Sequence, residues 1–148
     1  MAEINEKTIL VDLQRCIGCW TCSLACKVGN NLPDDEFFLT VRTLGSGEGI
    51  DRPAGTWPNL RMSWQPVWTQ KCVKCAGRLA KGQLPYCVQS CPCGALSIGE
   101  AAAAKKEELR DRGFRFFELP AWDKTKEGVI YAEKKSCGGE LRTIPICW

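Results

Sequence analysis

Four cysteines close together near the start of the chain are the strongest candidates for chemistry in this sequence. The run from Cys16 to Cys26 reads CIGCWTCSLAC, with the spacing Cys-x2-Cys-x2-Cys-x3-Cys. This spacing holds cubane iron–sulfur clusters in bacterial ferredoxins. Cys26 lies one helical turn, about 6 Å, beyond Cys22 if a helix begins there. Its thiolate is therefore expected to reach a second cluster, and the run predicts a partner run elsewhere in the chain.

A second cysteine run, from Cys72 to Pro92, supplies that partner. It reads CVKCAGRLAKGQLPYCVQSCP, with the spacing Cys-x2-Cys-x11-Cys-x3-Cys-Pro. The inserted residues are predicted to form one helical turn over 76–81 and to loop out without moving the ligands. Pro92 is predicted to end the short helix before it, because proline cannot continue a helix.

Two-cluster ferredoxins exchange their fourth cysteines between clusters. By that pattern the two runs together predict two [4Fe–4S] clusters with crossed ligation. The expected ligands of cluster 1 are Cys16, Cys19, Cys22 and Cys91, and those of cluster 2 are Cys72, Cys75, Cys87 and Cys26.

Structural zinc is the alternative reading of paired Cys-x2-Cys motifs, because two all-cysteine sites would also use eight thiolates. Zinc ribbons use separate knuckles, whereas the first run is more compact, which favours the cubane. Cys93, beside a ligand, could replace Cys91 but is expected to be a small buried thiol. Cys137 and Cys147 could pair or bind metal, but are expected to be free thiols in a reducing compartment.

The composition narrows the possible functions. The chain has 148 residues, 11 cysteines, no histidine and a formal net charge of +3. The lack of histidine excludes Rieske centres, histidine-ligated haem and histidine general bases, and no catalytic residue is expected. Basic residues are scattered rather than striped, which argues against nucleic acid. No stretch approaches about 20 apolar residues and no secretory signal is visible, so we expect no membrane insertion and a cytoplasmic location.

The elements around the cysteine runs predict an α+β fold with a bacterial two-[4Fe–4S] ferredoxin-like core. A strand over 7–12 leads into the first run, and a helix over 21–28 carries its last two cysteines. Further strands are predicted at 37–44, 60–68, 95–98, 114–117 and 128–133, and a surface helix at 100–112 ending at Gly113. We expect a single domain, 1–148, with a cluster-binding core at about 7–31 and 70–99, a β-strand insertion at 32–69 and a C-terminal extension at 100–148.

Two sets of side chains near the cysteines have alternative roles. Trp57, Trp64 and Trp68 could stack on a ligand, but packing in the core or an interface is favoured because no other cofactor motif is nearby. Lys27 and Arg78 follow ligand cysteines and could raise the potential of a cluster or contact a partner. An ordinary solvated or salt-bridged role fits both residues at least as well.

These motifs resemble a known family. The segments ACKVGNNLP, DRPAGTWPNLRMSWQPV and CVKCAGRLAKGQLPYCVQSCPCGAL are similar to the iron–sulfur electron-transfer subunits of the DMSO reductase (molybdopterin oxidoreductase) family. The match covers roughly residues 7 to 100. The family signature, Cys-x2-Cys-x2-Arg followed by Pro-x-Cys-x3-Cys-Pro, falls here on Cys72, Cys75, Arg78, Pro85, Cys87, Cys91 and Pro92. The two middle cysteine runs of the family are missing, so the resemblance implies a subunit reduced to two clusters.

The resemblance implies a relay of single electrons to or from a large catalytic subunit with a molybdenum or tungsten bis-pterin centre. An electron donor or acceptor protein is a further possible partner. The alternative is a freely diffusing two-cluster ferredoxin that serves several enzymes, and a zinc-bound interaction module is a third. Most of the chain lies outside the cluster-binding core and is more readily explained as a docking surface, which favours the bound subunit.

Overall fold

The computed structural model describes residues 3–43, 53–119 and 125–134. Its elements are β1 (Ile9–Asp12), α1 (Thr21–Gly29), β2 (Leu39–Thr43), β3 (Ala54–Thr56), β4 (Asn59–Arg61), β5 (Trp64–Trp68), α2 (Ala76–Leu79), α3 (Tyr86–Ser90), β6 (Leu96–Ile98), α4 (Glu100–Asp111), β7 (Phe114–Phe117) and β8 (Val129–Lys134). This mixture of helices and sheets agrees with the predicted α+β class. Among the described residues, no helix combines the length and the apolar character needed to cross a bilayer.

The main sheet has four strands in the order β6-β1-β8-β7. Strand β1 is antiparallel to β6 and parallel to β8, and all four of its residues are buried. Because side chains alternate along a strand, β1 contributes to two cores. Ile9 and Val11 join the core on the side of the cysteines. Leu10 packs on the opposite side with Ala102 and Leu109 of α4.

The chain beyond residue 99 supplies part of this sheet. Strand β8 lies between β1 and β7, and its first five residues are all buried. Strand β8 pairs with β1 within the sheet. On one face of the sheet, its residues Ile130 and Ala132 pack in one core with residues of α4. The described part of the C-terminal stretch therefore supports the strand that leads into the first cysteine run.

The segment before the second cysteine run forms two small sheets instead of the single strand predicted over 60–68. Strand β4 pairs with β3 in a local hairpin, whereas β5 pairs with β2. The predicted strand breaks between them because each half has a different partner. The sequence also predicts a flexible connection through the glycine-rich stretch 45–49, which lies outside the described residues.

Two contacts join elements that are distant in the sequence. The hydroxyl of Tyr131, in the main sheet, donates to the carbonyl oxygen of Pro66 in β5 at 2.6 Å. Helix α1 packs against α3, and a Cβ atom at Gly29 would lie 2.6 Å from the ring of Tyr86. Glycine is therefore needed where the end of α1 meets the start of α3.

Two cysteine-lined cavities

The eight expected ligands fall into two groups of four, and each group lines one cavity. The first cavity is lined by Cys16, Cys19, Cys22 and Cys91. The second is lined by Cys26, Cys72, Cys75 and Cys87. Each group takes three cysteines from one run and one from the other, as in the crossed pattern of two-cluster ferredoxins.

Helices α1 and α3 explain why each group contains one cysteine from the other run. Along α1, Cys22 lies at the first cavity and Cys26, one turn later, lies at the second. Along α3 the order is reversed, with Cys87 at the second cavity and Cys91, at the end of the helix, at the first. The packing of α1 against α3 therefore brings cysteines from distant parts of the sequence to each cavity.

The strands between the two runs contribute walls to both cavities. Val41 of β2 and Pro66 of β5 line the first cavity. Phe38 and Trp68 line the second. The insertion therefore shields the sulfurs from water with apolar side chains, although it contains no cysteine.

Gly18 shapes the loop of the first run. Its backbone N–H donates to the sulfur of Cys16, which counteracts the larger effect of burial in raising the pKa of that thiol. Gly18 has a φ of 69°, which is left-handed backbone, and a Cβ atom there would lie 2.5 Å from the ring of Trp64. Both the conformation and the space therefore require glycine at this position.

The other thiols of the first cavity differ in exposure. Cys19 is exposed, and its hydrogen bond with the hydroxyl of Thr21, at 3.2 Å, lowers its pKa. Burial raises the pKa of Cys22 to about 12. The backbone N–H of Ala95 donates to the sulfur of Cys91 at 3.4 Å. The first cavity thus has one thiol at the surface and one held deep in the protein.

Side-chain N–H groups reach two sulfurs of the second cavity. The amide of Asn30 donates to the sulfur of Cys26 at 3.4 Å, and burial raises the pKa of Cys26 to about 11. The indole of Trp68 donates to Cys87, whose pKa is raised mainly by burial. Sequence reasoning assigned no such role to either donor. Asn30 could have been found because it follows Cys26 by one helical turn, whereas no local signal indicates Trp68.

Lys74 is a buried cation beside the second cavity. It is 8% exposed, although lysine is normally at the surface. Its backbone N–H donates to the sulfur of Cys72 at 3.3 Å, and its ammonium donates to the carbonyl oxygen of Gly128 at 3.1 Å. Burial lowers its pKa. Sequence reasoning missed this residue, because nothing in the local pattern shows that the side chain turns inward.

Lys27 has a structural role in the loop after α1. Its ammonium donates to the carbonyl oxygens of Pro33, Asp34 and Glu36 at 2.5, 3.0 and 2.8 Å. It also lies 4.0 Å from the centre of the Phe37 ring. The ammonium is therefore committed to closing this loop.

Arg78 fastens the insertion of the second run. Its Nε donates to the carbonyl oxygen of Leu84 at 2.8 Å, and its Nη2 donates to the side-chain oxygen of Gln89 at 2.7 Å. The guanidinium also stacks 4.0 Å from the centre of the Tyr86 ring. These contacts tie the loop between α2 and α3 to the helix that carries Cys87.

The three tryptophans have different environments. Trp68 is 2% exposed and belongs to the core, and Trp64 packs against Gly18; both agree with the favoured packing role. Trp57 is 84% exposed at the turn between β3 and β4.

Three cysteines are not among the eight expected ligands. Cys93 is half-buried and also lines the first cavity. Cys137 and Cys147 lie outside the described residues. Among the described residues, no three potential ligands surround a position for a single metal ion. The cysteines of each group instead border a small cavity between them. Two cavities, each lined by four of the expected ligands, fit two copies of one thiolate-ligated cofactor.

Comparison with known proteins agrees with this chemistry. Residues 54–101 match the family model of a 4Fe-4S dicluster domain, a range that includes the whole second cysteine run. The chain is 37% identical over 93 residues to a “Putative dimethyl sulfoxide reductase iron-sulfur subunit” of Halobacterium salinarum, across 59% of this chain and 31% of that protein. It is 30% identical over 87 residues to a selenate reductase subunit of Mesobacillus selenatarsenatis, across 59% of this chain and 24% of that protein.

A third relative is the arsenate respiratory reductase iron-sulfur subunit of a Shewanella species, 32% identical over 88 residues, across 60% of this chain and 30% of that protein. The chain thus matches between about a quarter and a third of the length of these relatives. The comparisons confirm the resemblance to iron–sulfur subunits of molybdopterin oxidoreductases that the motifs predict.

Proposed function

We propose that this chain, as an iron–sulfur subunit of the molybdopterin oxidoreductase type, carries electrons between a large catalytic subunit and another redox partner. It would hold two [4Fe–4S] clusters. The observation that carries the proposal is the pair of cavities, each lined by four of the eight expected ligands, drawn from both runs. The proposed ligands are Cys16, Cys19, Cys22 and Cys91 for cluster 1, and Cys26, Cys72, Cys75 and Cys87 for cluster 2.

The chemistry that such clusters supply is one-electron transfer, with a potential set by charge, hydrogen bonds to sulfur and exposure. The residues of this chain perform the supporting work. The cysteine thiolates would hold the iron, backbone and side-chain N–H groups donate to the sulfurs, and apolar side chains line both cavities. The chain contains no histidine, and the relatives are named as subunits of reductases. Substrate chemistry, at a molybdenum or tungsten pterin centre, is therefore assigned to the partner.

An exposed apolar surface beside the first cavity favours a bound subunit over a freely diffusing ferredoxin. Ile17 and Trp20 line this cavity and are 52% and 39% exposed. Leu24 and Val28 follow Trp20 at intervals of four residues, on the same face of a helix, and are 56% and 80% exposed. Contiguous exposed apolar side chains are typical of protein interfaces. Docking here would place a partner next to the exposed thiol Cys19.

The test is isolation of the tagged native protein under anaerobic conditions, followed by gel filtration and metal analysis. We expect one large complex that contains this chain, iron, and molybdenum or tungsten. Leu24→Glu/Val28→Glu should release the chain from the complex with its iron retained. Leu84→Glu, at an apolar residue that is 47% exposed and is not among the lining residues of either cavity, is the matched control and should leave the complex intact.

Two results would contradict the proposal. A brown monomer with about eight iron atoms per chain and no partner would indicate the freely diffusing ferredoxin instead. A colourless protein that contains zinc and no iron would contradict the clusters themselves.

A further inference from the structure

We propose that the buried positive charge of Lys74 raises the reduction potential of the second cluster, and that no described residue lining the first cavity acts in this way on the first cluster. The inference rests on the proposed function, since it concerns the two clusters. The spacing of the cysteines does not predict this effect on the potential, because the effect depends on the burial of the Lys74 side chain.

The two cavities differ in charge. The described residues that line the first cavity are cysteines, glycine and apolar residues, and none of them carries a charge. Lys74 is the single charged residue among the described residues that line the second cavity. It stands between Cys72 and Cys75 in the sequence, so the chain connectivity itself keeps it beside two ligands.

A defined contact holds the ammonium in place. Lys74 Nζ donates to the carbonyl oxygen of Gly128 at 3.1 Å. A Cβ atom at Gly128 would lie 2.5 Å from this nitrogen, so the glycine leaves the space that the ammonium fills. Lys126, Lys7 and Glu118 also act on Lys74 through their charges, and they are more exposed than it is. Their influence is therefore screened by water to a greater extent.

A positive charge beside a cluster raises the reduction potential of that cluster. One-electron reduction adds one negative charge to a cluster that is already anionic with its four thiolates. A nearby positive charge stabilises the reduced form more than the oxidised form, and does so most strongly where burial lowers the effective dielectric constant. A buried lysine at the second cavity should therefore make that cluster easier to reduce, and its removal should reverse the effect.

The test compares Lys74→Met with Lys71→Met in the iron-loaded protein, isolated anaerobically with any bound partner. Both substitutions remove one positive charge within two residues of Cys72. Lys71, however, has a side chain that is 67% exposed and paired with Glu36. An EPR-monitored redox titration measures the midpoint of each cluster in both variants.

We expect Lys74→Met to lower the equilibrium constant for reduction of one cluster about tenfold, which is about 59 mV for one electron. The other cluster should keep its midpoint, and Lys71→Met should move neither by more than a small fraction of that shift. Lys74→Arg, which keeps the charge, should restore most of the potential.

Gly128→Ala is a second variant that keeps the lysine but displaces its ammonium, and it should shift the same cluster in the same direction. If Lys74→Met fails to bind the second cluster, the midpoint of that cluster is measured in Gly128→Ala instead. Two unmoved midpoints in Lys74→Met, or equal shifts in Lys74→Met and Lys71→Met, would overturn the inference and leave the proposed function standing. A wild-type protein without two [4Fe–4S] signals would overturn both.

Discussion

Replacing Cys26 and Cys87 together by serine is expected to remove one cluster and to leave the other. Cys26 belongs to the first cysteine run and Cys87 to the second. If each run held its own cluster, the double variant would therefore lose both. In the structure both side chains line the second cavity, so only the cluster of that cavity should be lost.

The magnitude follows from the number of proposed ligands at each cavity. Cys26→Ser/Cys87→Ser removes two ligands from the second cavity and none from the first. Iron should fall from about eight to about four atoms per chain. Cys22→Ser/Cys26→Ser is the reciprocal variant. Its two cysteines belong to one run but line different cavities, so iron should fall towards zero.

The assay is iron and acid-labile sulfide per chain on anaerobically purified protein, with EPR of the reduced sample to identify the remaining cluster. Cys93→Ser is the matched control, because Cys93 lines the first cavity without being a proposed ligand; it should keep about eight iron atoms. The opposite result, near-zero iron in Cys26→Ser/Cys87→Ser and about four atoms in Cys22→Ser/Cys26→Ser, would show that the crossed assignment is wrong.

Three further predictions concern the stability of the fold and the reactivity of the thiols. Arg78→Met should lower the unfolding midpoint by several degrees, since it removes two hydrogen bonds and a ring contact worth roughly 1–2 kcal/mol together. Arg110→Met, which removes one exposed pair on α4, should change the midpoint by less than about 2 °C. Tyr131→Phe leaves a buried carbonyl oxygen without its donor and should cost about 1–3 kcal/mol in denaturant unfolding; an unchanged midpoint would contradict this. After removal of iron, iodoacetamide at pH 8 should modify Cys19 before Cys22, because Cys19 has the lowered pKa and therefore more thiolate, whereas burial raises that of Cys22 to about 12. Peptide mass mapping gives the order, and faster reaction of Cys22 would refute the reasoning.

Local elements could be predicted from the sequence wherever neighbouring residues decide them. The apolar alternation of β1 and the helix-forming residues of α4 are local patterns, and both elements occur close to the predicted bounds. The predicted strand over 60–68 was wrong as a single element. Its two halves pair with strands from different parts of the chain, and strand pairing is decided by non-local partners.

The candidate site divides in the same way. The spacing of the cysteines is a local property of the chain, so the candidate ligands could be predicted directly from the sequence. The placement of Trp68 at the sulfur of Cys87 could not, because it depends on how β5 packs against α3.

The sequence by itself determined which cysteines are the candidate ligands, since the type and spacing of the cysteines depend only on the chain that carries them. The tertiary structure alone decided the surroundings of those cysteines. It inserts β8 beside β1 and thereby brings Gly128 to the ammonium of Lys74. Burial and charge at a site depend on contacts between residues far apart in the chain, and these form only when the sheet and the helix pair assemble.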